Sequence, residues 1–172
     1  RSHRVFVEYA AEIDVPEPVA AQILANDYKE MEGMGTAAYR KGEELRSRVG
    51  PGGLLAKEVV VGIGEPKMSR RGVVIPVRWR ATGAEALFPR LEGELQVLAV
   101  DDRRTSLRLQ ATYRPPLGTV GDLMDRLVLA RLARATVADW VERIAEWVTE
   151  TARSVERQHH LDNGSRSDHR PD

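Results

Sequence analysis

Residues 121–153 read GDLMDRLVLARLARATVADWVERIAEWVTETAR. No proline or glycine interrupts the run after Gly121, and its apolar positions keep a helical step. Leu123, Leu127, Ala130, Val137, Val141, Ile144 and Val148 recur every three or four residues, which predicts one long helix with a stripe facing a core. Arg134 falls on that stripe. A cation there needs a partner or a route to water. Two readings stay open: Arg134 snorkels or pairs with a strand carboxylate, or it is the polar anchor of an otherwise apolar pocket. The first half of the helix is apolar over more than one face, since Met124, Val128, Leu129 and Leu132 add to the stripe. That surplus suits a pocket wall or a contact with a second chain, so a homodimer is left open. Trp140 and Trp147 are seven apart and share a face.

Upstream of the helix the period changes to two. Val5, Val7, Tyr9, Ala11 and Ile13 alternate with Phe6, Glu8, Ala10 and Glu12, which predicts a strand over 4–14 with one wetter face. Val15-Pro16-Glu17-Pro18 cannot continue the pairing. It suits a helix start capped by Asp14, with a short helix from Glu17 to Asn26. A second helical stretch covers Asp27 to about Met34, weakened by Gly33 and Gly35, and Tyr39 to Arg48 reads either way. Gly50-Pro51-Gly52-Gly53 is a turn. Strands follow over Lys57–Glu65 and Gly72–Ala81, where Pro76 marks an edge or a bulge. A hairpin joins Leu91–Val100 to Thr105–Arg114 about residues 101–104. Arg114-Pro115-Pro116-Leu117-Gly118 ends the sheet. The fold class expected is therefore α+β, with the domain over 1–155 and a disordered polar tail over 156–172.

The bulk composition excludes several functions. The 172 residues carry 26 basic and 26 acidic side chains, so no net charge draws the chain to nucleic acid. The basic residues are 22 Arg and 4 Lys, which reads as compositional bias together with abundant Ala and Gly. Without cysteine there is no disulfide, thiolate nucleophile or thiolate metal site. No apolar run reaches the ~18–20 residues of a transmembrane helix, and no signal-peptide core lies near Arg1. A cytoplasmic location is the expectation. His3, His159, His160 and His169 all lie in the termini, so a histidine base, triad or zinc site in the body is disfavoured. Gly62-Ile63-Gly64 and Gly50-Pro51-Gly52-Gly53 lack the continuation of a phosphate-binding loop. Glu8, Glu12, Glu92 and Glu94 belong on the wetter strand face. Asp122 and Asp125 complement a helix N-terminus. Arg78 and Arg80 read as solvated, unless a bulge near Pro76 turns one inward. No catalytic residue, metal or cofactor is assigned.

The element order of strand, short helices, antiparallel strands and one long helix resembles the START and Bet v 1-like helix-grip superfamily. That superfamily includes bacterial polyketide cyclase/dehydrase-like (SRPBCC) proteins. Three segments carry the resemblance over residues 4 to about 152: Glu12-Ile13-Asp14-Val15-Pro16, Arg114-Pro115-Pro116-Leu117-Gly118, and Asp125-Arg126 through Ala135-Thr136-Val137. Members often have a Trp-rich segment after the first helix, where this chain has only Tyr28 between Asp27 and Met34. The resemblance implies a curved sheet wrapped around the C-terminal helix and a cavity between them. Tyr9, Val77, Trp79, Leu95, Leu109 and Tyr113 would line it from the sheet, Phe88 from a loop at its mouth, and Met124, Leu127 and Arg134 from the helix. It also implies a hydrophobic or amphipathic small-molecule partner such as a lipid, quinone, isoprenoid or polyketide. A binding or carrier role is favoured over a cyclase or dehydratase, which would draw on Tyr113 and Arg134, and over a protein-interaction module built on the helix. Fold alone does not choose among these.

Overall fold

Alternation along the first strand sets the pattern for the whole sheet. In the computed structural model, which describes residues 4–49, 59–81, 90–114 and 126–166, β1 spans Val5–Ile13 and buries Val7 and Ile13 while Phe6, Glu8 and Glu12 stay exposed. Two helices follow, α1 (Glu17–Asp27) and α2 (Glu30–Val49). The strands β2 (Val59–Ile63), β3 (Lys67–Ser69), β4 (Gly72–Ala81), β5 (Arg90–Ala99) and β6 (Thr105–Arg114) precede the last helix, α3 (Arg126–Arg166). The sheet is six-stranded and antiparallel throughout, in the order β1-β6-β5-β4-β2, with β3 also on β4. This is the helix-grip arrangement the sequence implies.

The expected hairpin is β5–β6, paired from Arg90↔Arg114 to Ala99↔Thr105. Asp101 closes its turn by accepting the backbone N–H groups of Arg103 and Arg104, each at 2.9 Å. The Thr105 hydroxyl, buried at the start of β6, donates to the Val15 carbonyl at 2.6 Å and ties the sheet to the chain entering α1. Pro76 fits its expected role. On one side β4 pairs with β5 without a break, while on the other its partner is split. β2 ends at Ile63↔Val77 and β3 begins at Lys67↔Val74, so the missing N–H falls in the gap.

α3 packs on the sheet through Val137, Trp140, Val141, Ile144 and Val148, each no more than 1% exposed. Two stripe assignments are corrected. Leu127 is 66% exposed and Arg134 is exposed. Counting back four from Val137 reaches Ala133, which is buried. The small alanine carries the buried stripe and the long arginine beside it points away, a distinction that apolar spacing alone does not make. Leu123 lies outside the described residues.

Three further boundaries differ from expectation. Asp14 does not cap α1. Pro16 occupies the N-cap without a side-chain bond, and its carbonyl accepts from Val19 and Ala20 at 3.0 Å each. The second helix is one continuous α2 through Gly33, Gly35 and Gly42, where the sequence reads as a short helix followed by an ambiguous stretch. A side chain at Gly35 would collide with Trp140 and Val61, and one at Gly42 with Thr136. These glycines let α2 lie close against α3 and β2, and that packing outweighs their low helix propensity. Finally, α3 runs past Arg153 to Arg166, so residues 156–166, expected as an unstructured tail, are helical. Their described side chains are all exposed, and elongation of a long helix needs only one more bond per residue.

Candidate functional site

The inner face of the sheet is built in cross-strand rows. One row runs Val61–Trp79–Leu91–Tyr113–Val5, and the next runs Ile63–Val77–Gly93–Ala111–Val7. A third joins Ile75, Leu95, Leu109 and Tyr9. Each residue follows from the period-two alternation of its strand. Of the sheet residues expected to line a cavity, Val77, Trp79, Leu95 and Leu109 are buried, whereas Tyr9 and Tyr113 are half-buried. Phe88 and Met124 lie outside the described residues.

Trp79 sits at the centre of this face. Its ring lies 5.4 Å from that of Trp140 at a 31° tilt, and Tyr39 of α2 packs edge-on at 6.0 Å. Here the space between sheet and helix is filled by the chain's own aromatic rings. The Trp140 indole N–H donates to the Met31 carbonyl at 3.1 Å, whereas the Trp79 indole N–H is buried without an acceptor. The sequence reading named Trp79 but missed Tyr39 and placed Trp140 only by its spacing from Trp147. The signal for Tyr39 was its position four residues after Gly35, on the packed face of a helix that the glycines concealed.

Toward the start of α3 the packing changes. Ala130 and Leu132 are half-buried, and Leu127, Arg131 and Arg134 are exposed. On the inner face of the sheet, Val5, Val59 and Tyr113 are half-buried as well. Four described elements meet this same rim: β2 begins at Val59, β4 ends at Ala81, β5 begins at Arg90 and β6 ends at Arg114.

Charge at the site is peripheral. The Tyr9 hydroxyl donates to Glu142 Oε1 at 2.6 Å. That hydrogen bond, with some burial and the carboxylate's charge, pushes the Tyr9 phenol above its ordinary value against the opposing charge of Arg134. Arg134, itself exposed on α3, lies close enough to this pair for its charge to act on the Tyr9 phenol. Among the described residues the buried polar side chains are Thr105, Thr136 and the aromatic Tyr39, Trp79 and Trp140, and none is a carboxylate, histidine, lysine or arginine. No three His, Cys, Asp or Glu side chains among them gather in metal-binding reach. No described helix is long and apolar enough to cross a membrane.

No family model matches the chain, and no curated protein does. Solved structures do. A conserved protein from Geobacillus kaustophilus is 13% identical, with 84% of this chain and 95% of that one covered at a TM-score of 0.51. The TTHA0849 protein of Thermus thermophilus is 18% identical over 86% and 99% of the two chains, at 0.46. The Zhui aromatase/cyclase of Streptomyces sp. R1128 is 15% identical over 89% and 98%, also at 0.46. At 13% identity the likeness to the Geobacillus kaustophilus protein speaks of fold alone, and the other two carry no argument.

Proposed function

We propose that this chain is a binding or carrier module for a hydrophobic or amphipathic small molecule, held between the inner face of the sheet and the first half of α3. The observation that carries the reading is the contrast along α3. From Val137 onward the helix is sealed onto the sheet by residues such as Trp140 and Ile144. Before Ala133 its described apolar residues are half-buried or exposed, opposite a sheet row that is itself half-buried at Tyr113 and Val5. Apolar walls with few polar groups are what such ligands require. Trp79 adds a specificity element, because a ligand reaching it with a carbonyl or hydroxyl oxygen would give its buried indole N–H the acceptor it lacks. A cyclase or dehydratase would need inward-facing groups to move protons, and the described interior offers no carboxylate or imidazole.

The test is native mass spectrometry of protein purified from its own host, followed by titration with an apolar fluorophore. A co-purified small molecule and saturable fluorophore binding altered by Trp79→Ala are expected. Flat titrations with both proteins, and no bound mass, would end the carrier reading. Turnover of a polyketide-like substrate abolished by Tyr113→Phe would replace it with the enzyme.

A further inference from the structure

Met68 is the most exposed large apolar side chain among the described residues, at 83%. It is the middle residue of β3, and its register partner Val73 is buried in the core. Register partners share a face of the sheet, so Met68 carries the inner apolar face out past the core and into water. Lys67, Arg70 and Arg71 flank it, and all five residues from Lys67 to Arg71 are exposed. The turn from β3 to β4 does not call for these side chains. Ser69 and Gly72 hold it. The Ser69 hydroxyl accepts the Arg71 backbone N–H at 3.2 Å, and Gly72 takes φ +131°, where a Cβ would collide with the Val97 carbonyl. Arg70 and Arg71 fill the two positions between them, in place of the Gly, Asn or Asp that such turns favour.

Cations elsewhere on this surface have carboxylate partners. Asp139 answers Lys41 and Arg143, while Asp101 and Glu12 answer Arg104. Among the described residues no carboxylate pairs with Lys67, Arg70 or Arg71. Glu65 precedes the strand and Glu17 lies behind Gly72 at the start of α1, and neither forms an ion pair with the three. One short turn thus presents an unbranched, flexible apolar side chain among three cations. A nucleic acid would satisfy the cations and leave Met68 in water, and the turn has no aromatic ring to stack on a base. An anionic lipid surface takes up both, since its phosphates attract the cations and its acyl boundary admits the thioether.

We propose that the β3–β4 turn is a docking surface for an anionic lipid bilayer, with Met68 entering the acyl boundary and Lys67, Arg70 and Arg71 meeting the lipid phosphates. The turn lies at the start of β4, whereas the rim of the apolar site lies at its end. Docking needs no molecule in the apolar site, so it stands or falls apart from the carrier reading.

Co-sedimentation of the whole chain with vesicles tests this, using phosphatidylcholine alone and an equal mixture with phosphatidylglycerol, each at low and high salt. Binding to the mixture alone is expected, and it should weaken with salt. Each basic residue near an anionic surface gives about a fivefold gain in partitioning, so Arg70→Ser/Arg71→Ser should weaken binding at least about tenfold. Arg131→Ser/Arg153→Ser, which removes two exposed arginines of α3, should leave it unchanged. The sequence has no cysteine, so Met68→Cys takes a polarity-sensitive dye at that position alone. Its emission should shift to the blue on the mixed vesicles. The proposal is overturned if the mixed vesicles bring down no protein, if the two double variants weaken binding equally, or if the dye does not shift while the protein is bound. It is likewise overturned if duplex DNA is bound where the vesicles are not, which would make the turn a nucleic-acid contact.

Discussion

Trp79 of β4 and Trp140 of α3 lie with ring centroids 5.4 Å apart, and this contact joins the sheet to its helix at the centre of the core. Trp140 is also bonded through its indole N–H to α2, at the Met31 carbonyl. Three elements therefore meet on one side chain. Trp140→Ala should cost about 3–5 kcal/mol, the usual loss for a large buried aromatic, as read by urea unfolding. A loss below about 1 kcal/mol would mean that the helix does not pack here.

Gly33 and Gly93 should respond in opposite directions. Nothing lies within 4 Å of a side chain added at Gly33, which sits exposed in α2, so Gly33→Ala should stabilise by up to about 1 kcal/mol. A Cβ at Gly93 would meet the β6 backbone at Gln110 and Ala111. Gly93→Ala should therefore cost about 1–3 kcal/mol through overpacking. Thermal melts of both variants check the pair, and similar shifts would contradict the placement of β5 against β6.

Asp139 of α3 accepts from Arg143 at 2.6 Å and from Lys41 of α2 at 2.9 Å. Burial raises its carboxyl pKa, but the hydrogen bonds and charges of Arg143 and Lys41 outweigh that effect and hold it below the ordinary range. A group with a depressed folded pKa adds stability above its unfolded pKa near ~4 and loses it as pH falls through the folded value. Asp139→Asn should thus be less stable than wild type at pH 7 by about 0.5–1 kcal/mol, since both cations are largely exposed. The two stability curves should converge in acid. A gap that stays constant with pH would assign the loss to packing.

Removing residues after Gln158 should leave the melting temperature within about a degree, because the described side chains there are exposed and hold no core contact. The far-UV helical signal should fall in proportion to the turns removed. An unchanged signal would show that residues 159–166 are not helical in solution.

Most of the sheet was legible in the sequence because one face is buried and one is wet, so Val73, Ile75, Val77 and Trp79 stand out against Arg78 and Arg80. The β5–β6 hairpin was legible for the same reason, helped by its polar turn. Less could be seen in the helices. Glycines hid the continuity of α2, since the value of Gly35 and Gly42 lies in closeness to Trp140 and Thr136, which no local rule reveals. Arg134 was misplaced because Ala133 and Arg134 stand four and three residues before Val137, and helical spacing admits either one to the stripe. Within the candidate site, Trp79 could be read from strand alternation. Its ring partners Tyr39 and Trp140 could not, because they arrive from other elements.

The split opposite Pro76 has a consequence for how this protein meets copies of itself. An unpaired sheet edge is a template on which another chain can add a strand, and long flat edges promote aggregation. Here the side of the sheet beyond β4 is divided into β2, five residues long, and β3, three residues long, with Gly64, Glu65 and Pro66 between them. An incoming strand would find no more than one short segment in register before the ladder broke. Lys67 at the start of β3 adds an exposed charge to that edge. The interruption that accommodates one proline thus helps to keep the chains apart at high concentration.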